Sequence, residues 1–191
     1  MAETKPRRTE VLMAGTGGRG VLMAGLLLAQ AGTSQYQHVS WSPSYAAAMR
    51  GGPCECTVMF SDEEILSFLR YRTQTVIVIE PSQLKAMEGR VSPGGLMVVE
   101  STGLRDKVER EDVEIFPVPG LQVAIELGDN RVSNLVLLGA YVGKTGVVKP
   151  EYVEQELERR FGGRKAVLEL NKRAFEQGLR MGAEQRPQEE G

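Results

Sequence analysis

The chain of 191 residues is poor in the side chains that carry most enzyme chemistry. It has two cysteines, Cys54 and Cys56, and one histidine, His38. An iron–sulfur cluster normally takes about four thiolates, so this chain cannot hold one alone. The cysteines lie two apart, which on a strand points them to the same face. A disulfide between them has poor geometry, and their expected role is that of small residues on a strand face. No carboxylate, cysteine or serine stands near His38 in a triad order, so a hydrolase has little support. No apolar run is long enough to span a bilayer, and the charged start at 2–8 has no apolar core of a signal peptide. Charge is nearly balanced, with 23 basic and 25 acidic residues and a formal net charge of −2. That leaves no electrostatic footprint for nucleic acid. The expectation is a cytoplasmic protein with neither membrane nor nucleic-acid partners and no metal site.

What the chain has is glycine, 22 in all. The short apolar run at 11–14 ends in Gly15, Thr16, Gly17, Gly18, Arg19 and Gly20, and then becomes a helix-like segment over 21–31. This is the strand, glycine turn and helix start of a nucleotide-binding α/β unit. Gly15 is expected to allow the tight turn, Gly17 the approach of a ligand or a neighbouring backbone, and Gly20 close helix–strand packing. Unpaired amides at the helix start attract anions. A dinucleotide fold places an acid roughly 20 positions beyond the glycines. Here no acid occurs between Gly20 and Glu55, which argues against ordinary NAD binding.

The remaining pattern alternates strands and helices. Strands are expected at 10–14, 38–42, 54–60, 75–79, 96–100 and 113–118. Helices are expected at 20–31, 83–87, 121–127, 132–142, 150–161 and 166–181. The stretch Ser61, Asp62, Glu63, Glu64 reads as a capping box opening a further short helix toward Leu69. The run 75–79 is continuous and β-branched, as in a central strand buried on both faces. The segment 132–142 is apolar nearly all round, as in a deeply packed helix. Asp129 or Asn130 is expected to cap it, and Asn134 to cap it or line an interface. The fold class is therefore α/β, a three-layer α/β/α domain with a mainly parallel, Rossmann-like sheet and C-terminal helices. Its expected extent is 9–182, between a flexible lead at 1–8 and a disordered tail at 183–191.

A second motif lies at 43–53, a long loop bearing Ser44, Tyr45, Arg50, Gly51 and Gly52. Such a loop can set a guanidinium and bare backbone against an anion or a partner; a solvated surface turn is the plainer reading. Trp41 and Tyr45 can stack on a ligand or cover a core or interface. Together the two motifs resemble the gamma subunit of 2-oxoacid:ferredoxin (acceptor) oxidoreductases. That family carries Gly-x-Gly-Gly-Gln-Gly, with Arg19 here in place of glutamine, and Ser-Tyr-Gly-Pro/Ala-Glu-x-Arg-Gly-Gly, with Ala46, Ala47 and Ala48 here after the tyrosine. The resemblance continues through Ser61 to Ile65, Pro93-Gly94-Gly95, Asn130 to Asn134 and Leu138-Gly139-Ala140-Tyr141. The wording at Trp41 to Tyr45 is similar to 2-oxoglutarate-type or branched-chain-type members.

The resemblance implies oxidative decarboxylation of a 2-oxoacid with coenzyme A to acyl-CoA and carbon dioxide, electrons passing to ferredoxin. It implies thiamine diphosphate on alpha and beta subunits, iron–sulfur clusters on beta or a ferredoxin-like delta subunit, and a non-catalytic gamma domain that binds none of these alone. No thiamine motif of the Gly-Asp-Gly type followed by asparagine is present. Arg19 adds a positive charge at a helix start, which opposes the helix dipole unless an anion is near. The glycine turn, with Ser44, Tyr45, Arg50, Gly51 and Gly52, is thus the candidate surface for a coenzyme A phosphate or for close packing against a partner subunit. An indolepyruvate-type oxidoreductase chain and a free-standing nucleotide-binding module are the alternatives.

Overall fold

Alternation along the first strand decides the layering. In a computed structural model, which describes residues 8–45, 51–66 and 71–186, β1 is Arg8–Thr16. Val11 and Met13 pack into one core while Leu12 and Ala14 pack into another. A strand buried on both faces needs layers on both sides. Six strands form one sheet in the order β2-β3-β1-β4-β5-β6, with β2 His38–Tyr45, β3 Pro53–Ser61, β4 Thr73–Val78, β5 Val91–Glu100 and β6 Glu114–Val118. The β1–β4, β4–β5 and β5–β6 ladders are parallel; β3 runs antiparallel to both β1 and β2. Five strands therefore point one way and β3 the other. The α/β class and the mostly parallel sheet agree with the sequence reading.

Helices α1 (Val21–Gly32), α4 (Ser133–Thr145), α5 (Pro150–Phe161) and α6 (Lys165–Glu184) contribute to the larger core. The other face is thinner. It is covered by α2 (Leu84–Glu88) and by Leu104, Val108 and Val113 of the segment before β6. Both edge strands contain a proline, Pro43 in β2 and Pro117 in β6. A proline on an edge costs no ladder bond and discourages pairing with another sheet.

Several expectations need correction. The strand expected to stop at 42 continues to Tyr45, so Ser44 and Tyr45 belong to β2, opposite Glu55 and Cys54 of β3, and not to a loop. The capping box does not open a helix at 62–66. Ser61 ends β3, and its hydroxyl accepts the Glu63 amide at 3.0 Å, closing a local turn instead. The rest of that expected helix, at 67–70, lies outside the described residues. Helix α6 continues to Glu184, so the first two residues of the expected tail are helical. Among the described residues, no helix is long and apolar enough to cross a membrane.

The packing of α4 on α6 was not read from the sequence, although its signal is there. Gly139 and Gly143 of α4 meet Gly178 and Gly182 of α6. A Cβ on Gly139 would lie 2.1 Å from the Phe175 carbonyl oxygen, and one on Gly178 would lie 1.9 Å from that of Val136. The pairs advance in register, so the two helices run parallel with their backbones touching. Only glycine permits this approach. Gly178→Ala should therefore lower unfolding stability by about 3 kcal/mol through overpacking. Gly163→Ala, where a Cβ meets nothing within 4 Å, should change it by less than about 1 kcal/mol. Urea denaturation of the two variants checks the contrast.

Candidate functional site

The C-terminal ends of β1 and β2 bring the described residues among those expected from the sequence, Gly15 to Gly20, Ser44, Gly51 and Gly52, to one end of the sheet. Because β3 runs antiparallel, Pro53 lies opposite Thr16, which brings the segment before β3 to the glycine turn. The two motifs meet through their backbones: the Gly17 amide donates to the Gly52 carbonyl at 2.9 Å. A Cβ on Gly17 would lie 3.3 Å from the Gly51 nitrogen. Gly17 thus permits close approach, but the neighbour that approaches is Gly51 and Gly52 of the same chain. Arg50 lies outside the described residues, as do Ala46, Ala47 and Ala48, and the Tyr45 side chain is likewise not described.

The other glycines divide the work differently from expectation. The Arg19 amide donates to the Thr16 carbonyl at 3.1 Å and closes the turn. Gly15 is still within β1, and its missing side chain makes room for Val21, whose Cγ2 would sit 2.9 Å from a Cβ there. Close packing of helix on strand therefore falls to Gly15. Gly20 supplies the left-handed residue at the α1 N-terminus, with φ of 74°. Its neighbour is Asn134, whose buried amide donates to the Gly20 carbonyl at 3.0 Å. Asn134 therefore neither caps α4 nor waits at a surface; it ties α4 to the glycine turn. Asp129 does cap, accepting the Arg131 amide at 2.9 Å at the start of the 3-10 turn Asn130–Val132. The Arg131 guanidinium holds the Asp129 carboxyl down at about 2.

Arg19 finds its anion within the chain. Its Nε lies 2.9 Å from Glu80, just after β4, and both side chains keep contact with solvent. The pair offsets the unfavourable charge at the helix start and is worth no more than about 1 kcal/mol. Sequence reasoning missed Glu80. The available signal was an acid closing the buried run at 75–79, at the end of a parallel strand where ligands of such sheets bind. It also missed Glu100 at the end of β5. Glu100 is buried and accepts the amides of Thr102 and Leu121, each at 2.8 Å, so it caps α3 (Gly120–Glu126) from a neighbouring strand. Burial pushes its carboxyl up, and the Glu80 charge adds to that against the pull of its hydrogen bonds.

Between the turn and the 3-10 turn lies a concavity of about 220 Å³, lined by Gly17, Gly18, Arg19, Asn130, Arg131 and Ser133. A Cβ on Gly18 would meet nothing within 4 Å, so its backbone is open to whatever enters. The space holds one or two phosphate-sized groups and is smaller than a pocket for a whole cofactor. Two arginines and a helix N-terminus suit an anion there. The cysteines do not fit a cluster. Both are buried in the core, and burial pushes the Cys56 thiol up to about 12, with the Trp41 indole and the Gly25 backbone pulling the other way. Among the described residues, no group of three or more histidine, cysteine or acidic side chains could hold a metal ion.

A mixed sheet with a glycine turn at the end of its first strand, lacking the acid that holds ribose, defines a Rossmann-like domain outside the ordinary dinucleotide-binding pattern. The chain belongs to the pyruvate ferredoxin/flavodoxin oxidoreductase family, which its residues 10–181 match. It is 32% identical over 174 residues to the ketoisovalerate oxidoreductase subunit VorA of Methanothermobacter marburgensis, covering 90% of this chain and 36% of that one. The chain thus spans about a third of that relative's length. It is 31% identical to the 2-oxoglutarate synthase subunit KorC of the same organism, covering 79% of this chain and 85% of that one. Among solved structures, the keto/oxoacid ferredoxin oxidoreductase gamma subunit of Geobacter sulfurreducens superposes with a TM-score of 0.80 at 27% identity, covering 93% of this chain and 98% of that one.

Two outcomes follow from this geometry. Asn134→Ala should cost about 1 kcal/mol, since Gly20 keeps its helical bond from Ala24. Asn134→Asp should cost about 3 kcal/mol, because it sets a buried carboxylate against a carbonyl; urea denaturation at neutral pH ranks them. For Glu100 the folded carboxyl titrates above its unfolded value. Its contribution is fully present below the unfolded value and is lost as pH rises through the folded one. Relative to Glu100→Gln, the native chain should therefore gain stability as pH is lowered from 7 to 4, read as the difference between the two melting curves.

Proposed function

We propose that this chain is the gamma subunit of a thiamine diphosphate-dependent 2-oxoacid:ferredoxin oxidoreductase, with 2-oxoglutarate as the oxoacid. The observation that carries the reading is the match, over nearly all of both chains, to a keto/oxoacid ferredoxin oxidoreductase gamma subunit. The KorC relative, of comparable length, supports 2-oxoglutarate, and the VorA relative makes the branched-chain oxoacid the substrate to test beside it. In this reading thiamine diphosphate and the iron–sulfur clusters sit on alpha, beta and a ferredoxin-like delta subunit. Their chemistry is carbanion stabilisation and one-electron transfer. The gamma chain is non-catalytic and works in the cytoplasm.

Its own residues act at the glycine turn. Gly17 and Gly52 lock the two loops into one surface, Asn134 holds Gly20, and Glu80 keeps Arg19 oriented over the concavity. That surface packs against the catalytic subunits and supplies the diphosphate end of a coenzyme A site. The small volume at the turn supports a partial site whose remainder is built by the partner subunits. Phosphate oxygens would compete with Glu80 for the Arg19 guanidinium, an exchange of one anion for another with little net electrostatic cost.

Expression with its neighbouring genes and affinity purification of this chain should yield a brown assembly that reduces ferredoxin with 2-oxoglutarate and coenzyme A. A colourless monomer would overturn the reading, and preference for 3-methyl-2-oxobutanoate would change the substrate. In that assembly Arg19→Ala should weaken coenzyme A binding by about fivefold to tenfold. Calorimetry reads this, and an unchanged affinity removes the turn from the coenzyme A site.

A further inference from the structure

The opposite end of the sheet carries features that the glycine-turn reading does not use. At the start of β5 the register with β4 shifts: Thr73 pairs with Val91 but Thr75 pairs with Leu96. The intervening Ser92, Pro93, Gly94 and Gly95 bulge away from the ladder. Gly94 takes a left-handed φ of 71°, and Gly95 is pinned, since a Cβ there would lie 2.5 Å from the Gln74 carbonyl oxygen. Bulges of this kind re-aim backbone at the rims of sheets, often beside binding sites. This one opens a cavity of about 580 Å³, within the size range of small-molecule sites. Tyr141 reaches the same cavity from α4, and its side chain is fully buried. Two of the family-like motifs, Pro93-Gly94-Gly95 and Leu138 to Tyr141, thus converge away from the glycine turn.

A buried cation lines this cavity. The Lys144 side chain is 5% exposed, although lysine is rarely buried without a strong partner. Its ammonium donates to the Gln185 carbonyl at 2.9 Å and pairs with Glu114 at 2.6 Å. That glutamate is 59% exposed and sits on the edge strand β6, so the carboxylate partner is the movable half of the pair. A second cation, Arg8, lines the cavity and pairs with Glu10 at a looser 3.5 Å. Leu96 and Val147 supply apolar wall.

We infer that this cavity is a binding site for a small organic carboxylate, whose head group replaces Glu114 on the Lys144 ammonium while its apolar body lies against Leu96 and Val147. A carboxylate already occupies the required position, and the ligand supplies another in its place. Among anions this favours a carboxylate over a phosphate. The site is independent of the function proposed above and lies at the other end of the sheet from the glycine turn.

The test is a titration of the full-length chain with 2-methylpropanoate, benzoate and inorganic phosphate, read by the amide resonances of Gly94, Gly95 and Gly146. Both carboxylates should give saturable shifts with dissociation constants on the order of millimolar. Glu114→Gln removes the internal competitor and should tighten binding by roughly threefold to tenfold, whereas Lys144→Met, which keeps an unbranched side chain one atom shorter and without the charge, should abolish it. A purely structural ion pair predicts no saturable shift in any form. That result, or an equal response in folded Lys144→Met, or phosphate acting better than the carboxylates, overturns the inference. Should Lys144→Met fail to fold, Glu114→Gln decides alone, and an unchanged affinity there overturns it.

Discussion

The contact on which the rest depends is the backbone-to-backbone seating of α4 on α6. Gly139, Gly143, Gly178 and Gly182 leave no side chain at the points of closest approach, so carbonyl oxygens of one helix lie against the bare Cα of the other. Each such contact is weak, but the approach sinks α4 until Ser133 through Lys144 are all buried. A helix placed that deeply can reach both ends of the sheet. At its start Asn134 grips the glycine turn; at its end Lys144 enters the lower cavity. One packing solution therefore sets the position of both polar regions, and loosening it would disturb them together.

The order and type of nearly all elements were legible in the sequence because burial imposes period. The β-branched run expected at 75–79 falls in the central strand β4 as far as Val78, with Ile79 just past its end, because such a run packs well on a sheet buried on both faces. The expected helix at 150–161 coincides with α5 because Pro150 fits its first turn. The failures lie where a local signal met a stronger tertiary one. Pro43 looked like the end of β2, yet an edge strand tolerates proline, and the strand continues to Tyr45. Ser61 looked like a cap, yet its backbone is committed to β3, paired with both Arg8 and His38.

At the candidate site the sequence identified the turn but not what holds it. The backbone contact between Gly17 and Gly52 follows from β3 running antiparallel, which no residue of either motif announces. Asn134 is 114 positions from Gly20 and Glu80 is 61 from Arg19; single-sequence spacing carries no information over such distances. Glycine spacing also gave the wrong division of labour. In an ordinary dinucleotide fold the third glycine makes room for the helix against the strand. Here Gly15 does so, and Gly20 is needed for its left-handed backbone and for the room that Asn134 occupies.

Two arginines and a lysine raise a point about charge that bears on partners. Arg19, Arg131 and Lys144 each face a carboxylate of this chain: Glu80, Asp129 and Glu114. None is a bare cation waiting for a ligand, so any incoming anion binds by exchange. Exchange makes affinity depend on the difference between two similar pairings and keeps it modest at a surface where water screens both. A chain built this way gains specificity only when a second surface removes the water and supplies the remaining contacts. At the glycine turn that is the electrostatic case for the assembly proposed above, whereas at Lys144, whose side chain is 5% exposed, the fold itself already removes the water.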